Sequence, residues 1–202
     1  FSDAEVVDQA LRPVGFRLWQ ACRFDVREQR DVSERRAFGV LLRHNVITGA
    51  TMMFSARHKA SVLPIDKRWV QDGWIGLLIS TQDRIVPVAK TLVKYRQHGG
   101  NQIGARLQPL SEELRISLTL GRDAYLREAT RYEQLLGPLS AMDAPSECIQ
   151  EVRNLVHHLR HRANLPSTFA RRATAVAAET LRFGYHRYSN GWRSVIKDCV
   201  KG

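Results

Sequence analysis

The chain has 202 residues, of which 44% are apolar and 25% charged, with a net charge of +11 at neutral pH. That length suits one good-sized domain, or one domain with a helical appendage, and the apolar content excludes disorder as the default state. No apolar run is long enough to cross a membrane, and no signal peptide is visible.

The three cysteines, Cys22, Cys148 and Cys199, are far apart and lack CxxC spacing. This argues against a disulfide scaffold or a zinc site and fits a reducing cytoplasm. The charge is uneven. From Glu151 onward there are ten Lys and Arg against three Asp and Glu, so +7 sits in the last 52 residues. Such a basic end suits a polyanion: phospholipid headgroups, nucleic acid or an acidic protein.

In chain order, residues 1–8 read as a strand end and a turn. Asp3-Ala4-Glu5 imitates a metal-holding Asp-x-Asp pair, because carboxylates two apart on an extended chain share a face. Residues 31–42, acidic early and basic later, predict a short helix. Residues 45–54 are apolar and β-branched around Gly49, which predicts a buried strand with Met52 and Met53 in the core. Gly49-Ala50-Thr51 at its bend either lets a ligand approach the backbone or marks tight packing. Pro64 marks a loop.

Residues 72–80 predict a helix with Trp74, Leu77 and Leu78 on one side. Asp72 at its start suits either a helix cap or a general base. Residues 85–88 and 91–97 predict two short strands around Pro87. Then comes the densest polar stretch, Tyr95-Arg96-Gln97-His98-Gly99-Gly100-Asn101-Gln102-Ile103-Gly104. Strand alternation puts Arg96 and His98 on one side, and the glycines allow close approach to a ligand. An arginine, a histidine and an amide-rich loop suit a diphosphate or a metal-phosphate complex; a solvated surface hairpin is the plain alternative.

Beyond residue 104 the pattern turns helical: 110–136, a helix from Ser146 with Ile149, Val152, Val156 and Leu159 on one face, 167–183, and 185–200. His157, His158 and His161 predict a solvated basic face rather than a metal pair, since Arg160 and Arg162 crowd them. In the last segment Tyr188, Trp192, Val195, Ile196 and Cys199 are expected to line one face. The chain thus reads as an α/β part, 1–104, and an all-helical basic part, 105–202.

Several of these segments, in this order, resemble the bacterial branch of glycosyltransferase family 2. Tyr95-Arg96-Gln97-His98 with Asn101 and Gly104 matches its YRQHxxNxxG pattern, and the resemblance extends over nearly the whole chain. Ile47 to Phe54 looks like its acceptor-side strand. Gln71-Asp72-Gly73-Trp74 is similar to its His-Asp-x-Trp element, with Gln71 in place of the usual His. The ending Tyr188-Ser189-Asn190-Gly191-Trp192-Arg193 also looks like the tail of these proteins.

The resemblance implies the C-terminal half of a GT-A (Rossmann-like) catalytic domain followed by a helical region. It implies sugar transfer from a nucleotide-sugar donor to a glycan or lipid-linked acceptor hydroxyl, inverting, in cell-surface polysaccharide synthesis. Asp72 is then the base, and Arg96, His98 and Asn101 attend the donor diphosphate. Gly49, Ala50, Thr51 and Trp74 line the sugar or acceptor pocket. A Mg²⁺ or Mn²⁺ ion is expected, with His98 as one contact and its main carboxylates in a nucleotide-binding half outside this chain. Asp3-Ala4-Glu5 stands too close to Asp72 in the family layout to be that pair. A fragment inactive alone, at the inner face of the plasma membrane, follows from the same resemblance. The alternative class is a basic nucleic-acid-binding or interaction module, which lacks any supporting motif here.

Overall fold

The computed structural model describes residues 1–98, 107 and 120–200, and the chain divides into two compact units, Phe1–Pro109 and Leu110–Gly202. The first is a mixed α/β unit built on β1 (Ser2–Val7). Five of its six residues are buried, as expected of a strand paired on both edges. β2 (Pro13–Arg17) pairs with it antiparallel, Glu5 opposite Arg17 and Val7 opposite Pro13. β3 (Val88–Arg96) pairs with it parallel, from Asp3 opposite Thr91 to Val7 opposite Arg96. The order is β2-β1-β3. Pro13 and Gly15, the latter at φ +90°, sit on the exposed edge strand, where a missing ladder donor costs little.

A parallel pair needs a long crossover. Residues 18–87 supply it, with α1 (Leu18–Ala21), α2 (Val26–Ser33), α3 (Ala37–Arg43), α4 (Lys59–Val62) and α5 (Gln71–Gln82). Asp25 caps α2, its side chain accepting from Glu28 N at 2.9 Å. The single helix expected over 31–42 is two helices. Arg35 at φ +66° turns the chain between them, a backbone conformation the residue types do not announce.

α5 is buried at every position from Asp72 to Ile79, so it is a core helix rather than one with a single apolar side. It packs against α3. A Cβ on Gly76 would stand 2.8 Å from Ile47 Cδ1, so a larger residue there makes the end of Ile47 move.

Residues 45–54 are not a strand. They run extended into a 3-10 turn at Gly49–Thr51 that packs against β1 and β3. A strand needs a partner ladder, whereas here Gly49 N donates to a side chain and Thr51 N to Thr48 O. Met53 is therefore 90% exposed and Met52 only half-buried, against the core role expected of both. The two short strands expected over 85–88 and 91–97 are one strand, which starts after Pro87.

The second unit is helical: α6 (Arg122–Glu133), α7 (Leu136–Ala141), α8 (Ser146–Ala163), α9 (Phe169–Leu181), α10 (Gly184–Tyr188) and α11 (Trp192–Val200). α8 packs on α6 and α10, and α11 on α9 and α10. Leu135, Leu139, Val152, Leu155, Val176 and Tyr185 form its interior. Each such apolar side chain contributes about 1.5–3 kcal/mol by leaving water. Of the helix expected over 110–136, only the part from Leu120 lies within the described residues, and it is helical from Arg122. No helix among the described residues is long and apolar enough to cross a membrane.

Candidate functional site

Asp72 stands in the first turn of α5, two residues past the capping position, which Val70 occupies; it is not the cap. Its carboxylate turns inward and is 9% exposed. Oδ1 accepts from Asn45 Nδ2 at 2.7 Å and from Gly73 N at 2.7 Å; Oδ2 accepts from Gly49 N at 2.9 Å. Asn45 Oδ1 in turn accepts from Ile47 N at 3.1 Å, which folds 45–49 into the shape that presents Gly49. The sequence reading missed Asn45, since only the fold brings it across 27 residues to Asp72.

All three donors are uncharged, and no cation pairs with Asp72 among the described residues. The carboxylate is thus held by neutral N–H dipoles rather than by a counter-charge. Each carboxylate oxygen accepts about two hydrogen bonds. Here Oδ1 accepts two, and Oδ2 one.

Two other acidic and thiol groups share this neighbourhood. Burial pushes the Cys22 thiol up to about 11, with further contributions from the charges of Asp3 and Asp72. Asp3 Oδ1 accepts from Ala4 N at 2.8 Å and Trp19 N at 3.0 Å, so its carboxylate fastens the start of α1 to β1. Within Asp3-Ala4-Glu5, Asp3 thus has a structural role.

The other expected site residues fall as follows. Gly49, Ala50 and Thr51 form the 3-10 turn against β3, with Ala50 exposed and the other two half-buried. Arg96 closes β3 opposite Val7, and it and His98 are exposed. Asn101 lies outside the described residues. Trp74 is 3% exposed, its Nε1 donates to Val62 O at 2.8 Å, and its ring packs 6.0 Å from Trp69. It is a core residue and offers no face to a sugar. No group of three His, Cys, Asp or Glu among the described residues is arranged to hold a metal.

A second cluster escaped the sequence reading. A cleft of about 230 Å³ is lined by Ile47, Met52, Phe54, Ile75 and Ile79, with His58 and Asp83 in its wall. His58, buried, places Nε2 3.1 Å from Asp83 Oδ2, and Arg57 also pairs with Asp83. The Arg84 backbone N–H, then Arg57 and His58, hold the Asp83 carboxyl down at about 2. The two partners are 25 residues apart, and no local spacing could have joined them.

The helical unit holds a buried polar network of its own. His158 Nδ1 lies 2.7 Å from Glu179 Oε1 and Nε2 lies 2.8 Å from Ser189 Oγ, the order of groups in a hydrolytic relay. The chemistry does not follow. The His158 ring is fully buried, and Arg162 Nη1 already donates to Ser189 Oγ at 2.8 Å. Burial foremost lowers His158 to about 4, leaving it a poor base near neutrality. Arg162 also donates to Asp198 through Nε at 2.6 Å and Nη2 at 3.1 Å, and Tyr185 OH donates to the same carboxylate at 2.9 Å. The expected solvated basic face therefore holds for His157, which is exposed, and fails for His158 and Arg162. Burial had to be compensated by acids 21 and 36 residues away, invisible in the helix's own pattern.

No family model, curated protein or solved structure matches the chain.

Proposed function

We propose that the chain forms the acceptor-side part of a glycosyltransferase that moves a sugar from a nucleotide-sugar donor to an acceptor hydroxyl, with Asp72 as the general base. The finer fold reading, half of a GT-A domain, belongs to the same proposal. The reading is supported by the setting of Asp72: an inward-facing carboxylate at a helix start, held by Asn45, Gly49 N and Gly73 N, uncompensated by a cation, with Oδ2 accepting one hydrogen bond where Oδ1 accepts two. A hydroxyl donating there loses its proton to Oδ2 as its oxygen attacks the anomeric carbon, and the nucleoside diphosphate departs from the opposite face, inverting the centre. The Gly49–Thr51 turn, tied to Asp72 by Gly49 N and packed against β3, connects the base to the strand that ends in Arg96. Arg96 supplies positive charge, and His98 a ring N–H, for the departing diphosphate.

The divalent cation belongs to the resemblance, which assigns its carboxylates to a segment outside this chain; no step here is routed through it. The test is nucleoside diphosphate release from nucleotide sugars by the full-length protein, with and without hydroxyl acceptors. Acceptor-dependent release is expected, and Asp72→Asn should lower it about 10²- to 10⁴-fold with donor binding retained. Release at the wild-type rate in that variant removes Asp72 from the mechanism.

A further inference from the structure

A surface helix of a globular protein turns its apolar stripe to the core. α11 does the reverse. Ser194, Lys197 and Asp198 are buried, while Trp192, Ile196 and Val200, spaced four apart on one face, are 63%, 63% and 77% exposed. The sequence places Trp192 and Ile196 on one face without fixing which way it turns; in the fold the polar side is the buried one. The orientation is fixed by chemistry. Asp198 accepts from Arg162 and from Tyr185 OH, and Lys197 Nζ donates to Tyr125 OH at 2.9 Å. Rolling the helix to bury its ridge would break those bonds and strand the buried Arg162 guanidinium.

Among the described residues, the exposed charged side chains of α11 and of the end of α9 are arginines, Arg193 and Arg182. Each of the three acids in the last 52 residues is engaged: Glu151 with Arg187 and Tyr188, Glu179 with buried His158, and Asp198 with buried Arg162. Exposed Arg182 and Arg193 have no acidic partner among the described residues. At the end of α9, which packs against α11, Leu181-Arg182-Phe183 repeats the combination of exposed apolar side chains and a cation.

We infer that α11 is a docking surface for an anionic lipid membrane, with Trp192, Ile196 and Val200 entering the acyl boundary and Arg193 and Arg182 meeting headgroup phosphates. Apolar residues beside unpaired arginines, with no free carboxylate, match an interface of hydrocarbon under negative charge. Nucleic acid would leave Ile196 and Val200 without a partner, and a two-fold contact with a second copy would bring Arg193 towards its own image. The inference is independent of sugar transfer.

The experiment is co-sedimentation of the full chain with vesicles of phosphatidylcholine alone or mixed with phosphatidylglycerol, together with tryptophan emission. Binding to the anionic vesicles with a blue shift is expected. Trp192→Ser with Ile196→Ser should weaken partitioning about tenfold or more, and Arg182→Gln with Arg193→Gln about fivefold per charge removed. These side chains are exposed, so melting temperatures should not change, and Asp72→Asn should bind vesicles like wild type whether or not it transfers sugar. The inference is overturned by equal partitioning of the double variants, by indifference of the wild type to anionic lipid, by nucleic acid displacing the vesicles, or by a dimer that Trp192→Ser with Ile196→Ser dissolves.

Discussion

The two units bury acids in opposite ways. In the first, Asp3 and Asp72 are held by backbone N–H groups and one asparagine, and both charges face the same thiol, Cys22. In the second, Asp198 meets Arg162 and Tyr185, and Glu179 meets His158. Neutral donors hold a carboxylate in place and leave its charge available; a guanidinium holds it and cancels the charge. The first arrangement suits a group that must act on something else, the second a group that fastens helices together. The relay-like order of Glu179, His158 and Ser189 shows why distances alone do not make a site: access and charge balance decide it.

The contrast can be broken by substitution. Arg162→Ala should have the largest effect, leaving Asp198 buried without its cation at about 3–5 kcal/mol, measured as a lowered midpoint in chemical denaturation. An effect below about 1 kcal/mol would place Asp198 in contact with water.

Acid should act next. His158, lowered to about 4 mainly by burial, compares with 6.5 in the unfolded chain. The unfolded chain therefore takes up a proton between these values that the folded unit refuses. Stability is full above about pH 6.5 and falls as pH drops towards 4, by roughly 3 kcal/mol from this group. Denaturation midpoints across that window check it, and His158→Gln should flatten the slope.

Asp72→Asn should cost about 1–3 kcal/mol as well as transfer, because the new amide presents a donor to Asn45 Nδ2 or Gly49 N in a place built for acceptors. Thermal unfolding beside the release assay separates the two losses. The smallest effect is expected for Gly76→Ala, about 1 kcal/mol. Its Cβ clashes with Ile47 Cδ1 at 2.8 Å, the far end of a side chain that can turn away, and touches Leu41 Cδ1 at an ordinary 3.5 Å.

Much of the fold was legible where local pattern and burial agree: β1, the helix from residue 71, and the apolar face of α8. It failed where apolarity was taken as a sign of direction. Residues 45–54 carry strand-forming side chains, yet a strand exists only if another offers a ladder, and the Asp72 carboxylate competes for Gly49 N instead. α11 has an apolar stripe whose direction its own pattern does not fix, and only the partners of Lys197 and Asp198 show that it turns outward. Asp72 could be singled out from sequence as a cap or a base; that Val70 takes the capping position, and that Asn45 and Gly49 close on it, required the crossover to be folded. His58 and Asp83 illustrate the same limit, each ordinary until the chain brings them together.

The raised thiol of Cys22 has a parallel in Cys148, which burial and then the charges of Glu147 and Glu151 push up to about 11. Only the thiolate is nucleophilic, and at neutral pH each holds roughly one part in ten thousand of it. An alkylating reagent therefore meets a muted sulfur in each unit until that unit opens and the thiol returns to ordinary acidity. Read apart from Cys199, the second thiol of the helical unit, the order in which Cys22 and Cys148 are labelled records which half lets go first.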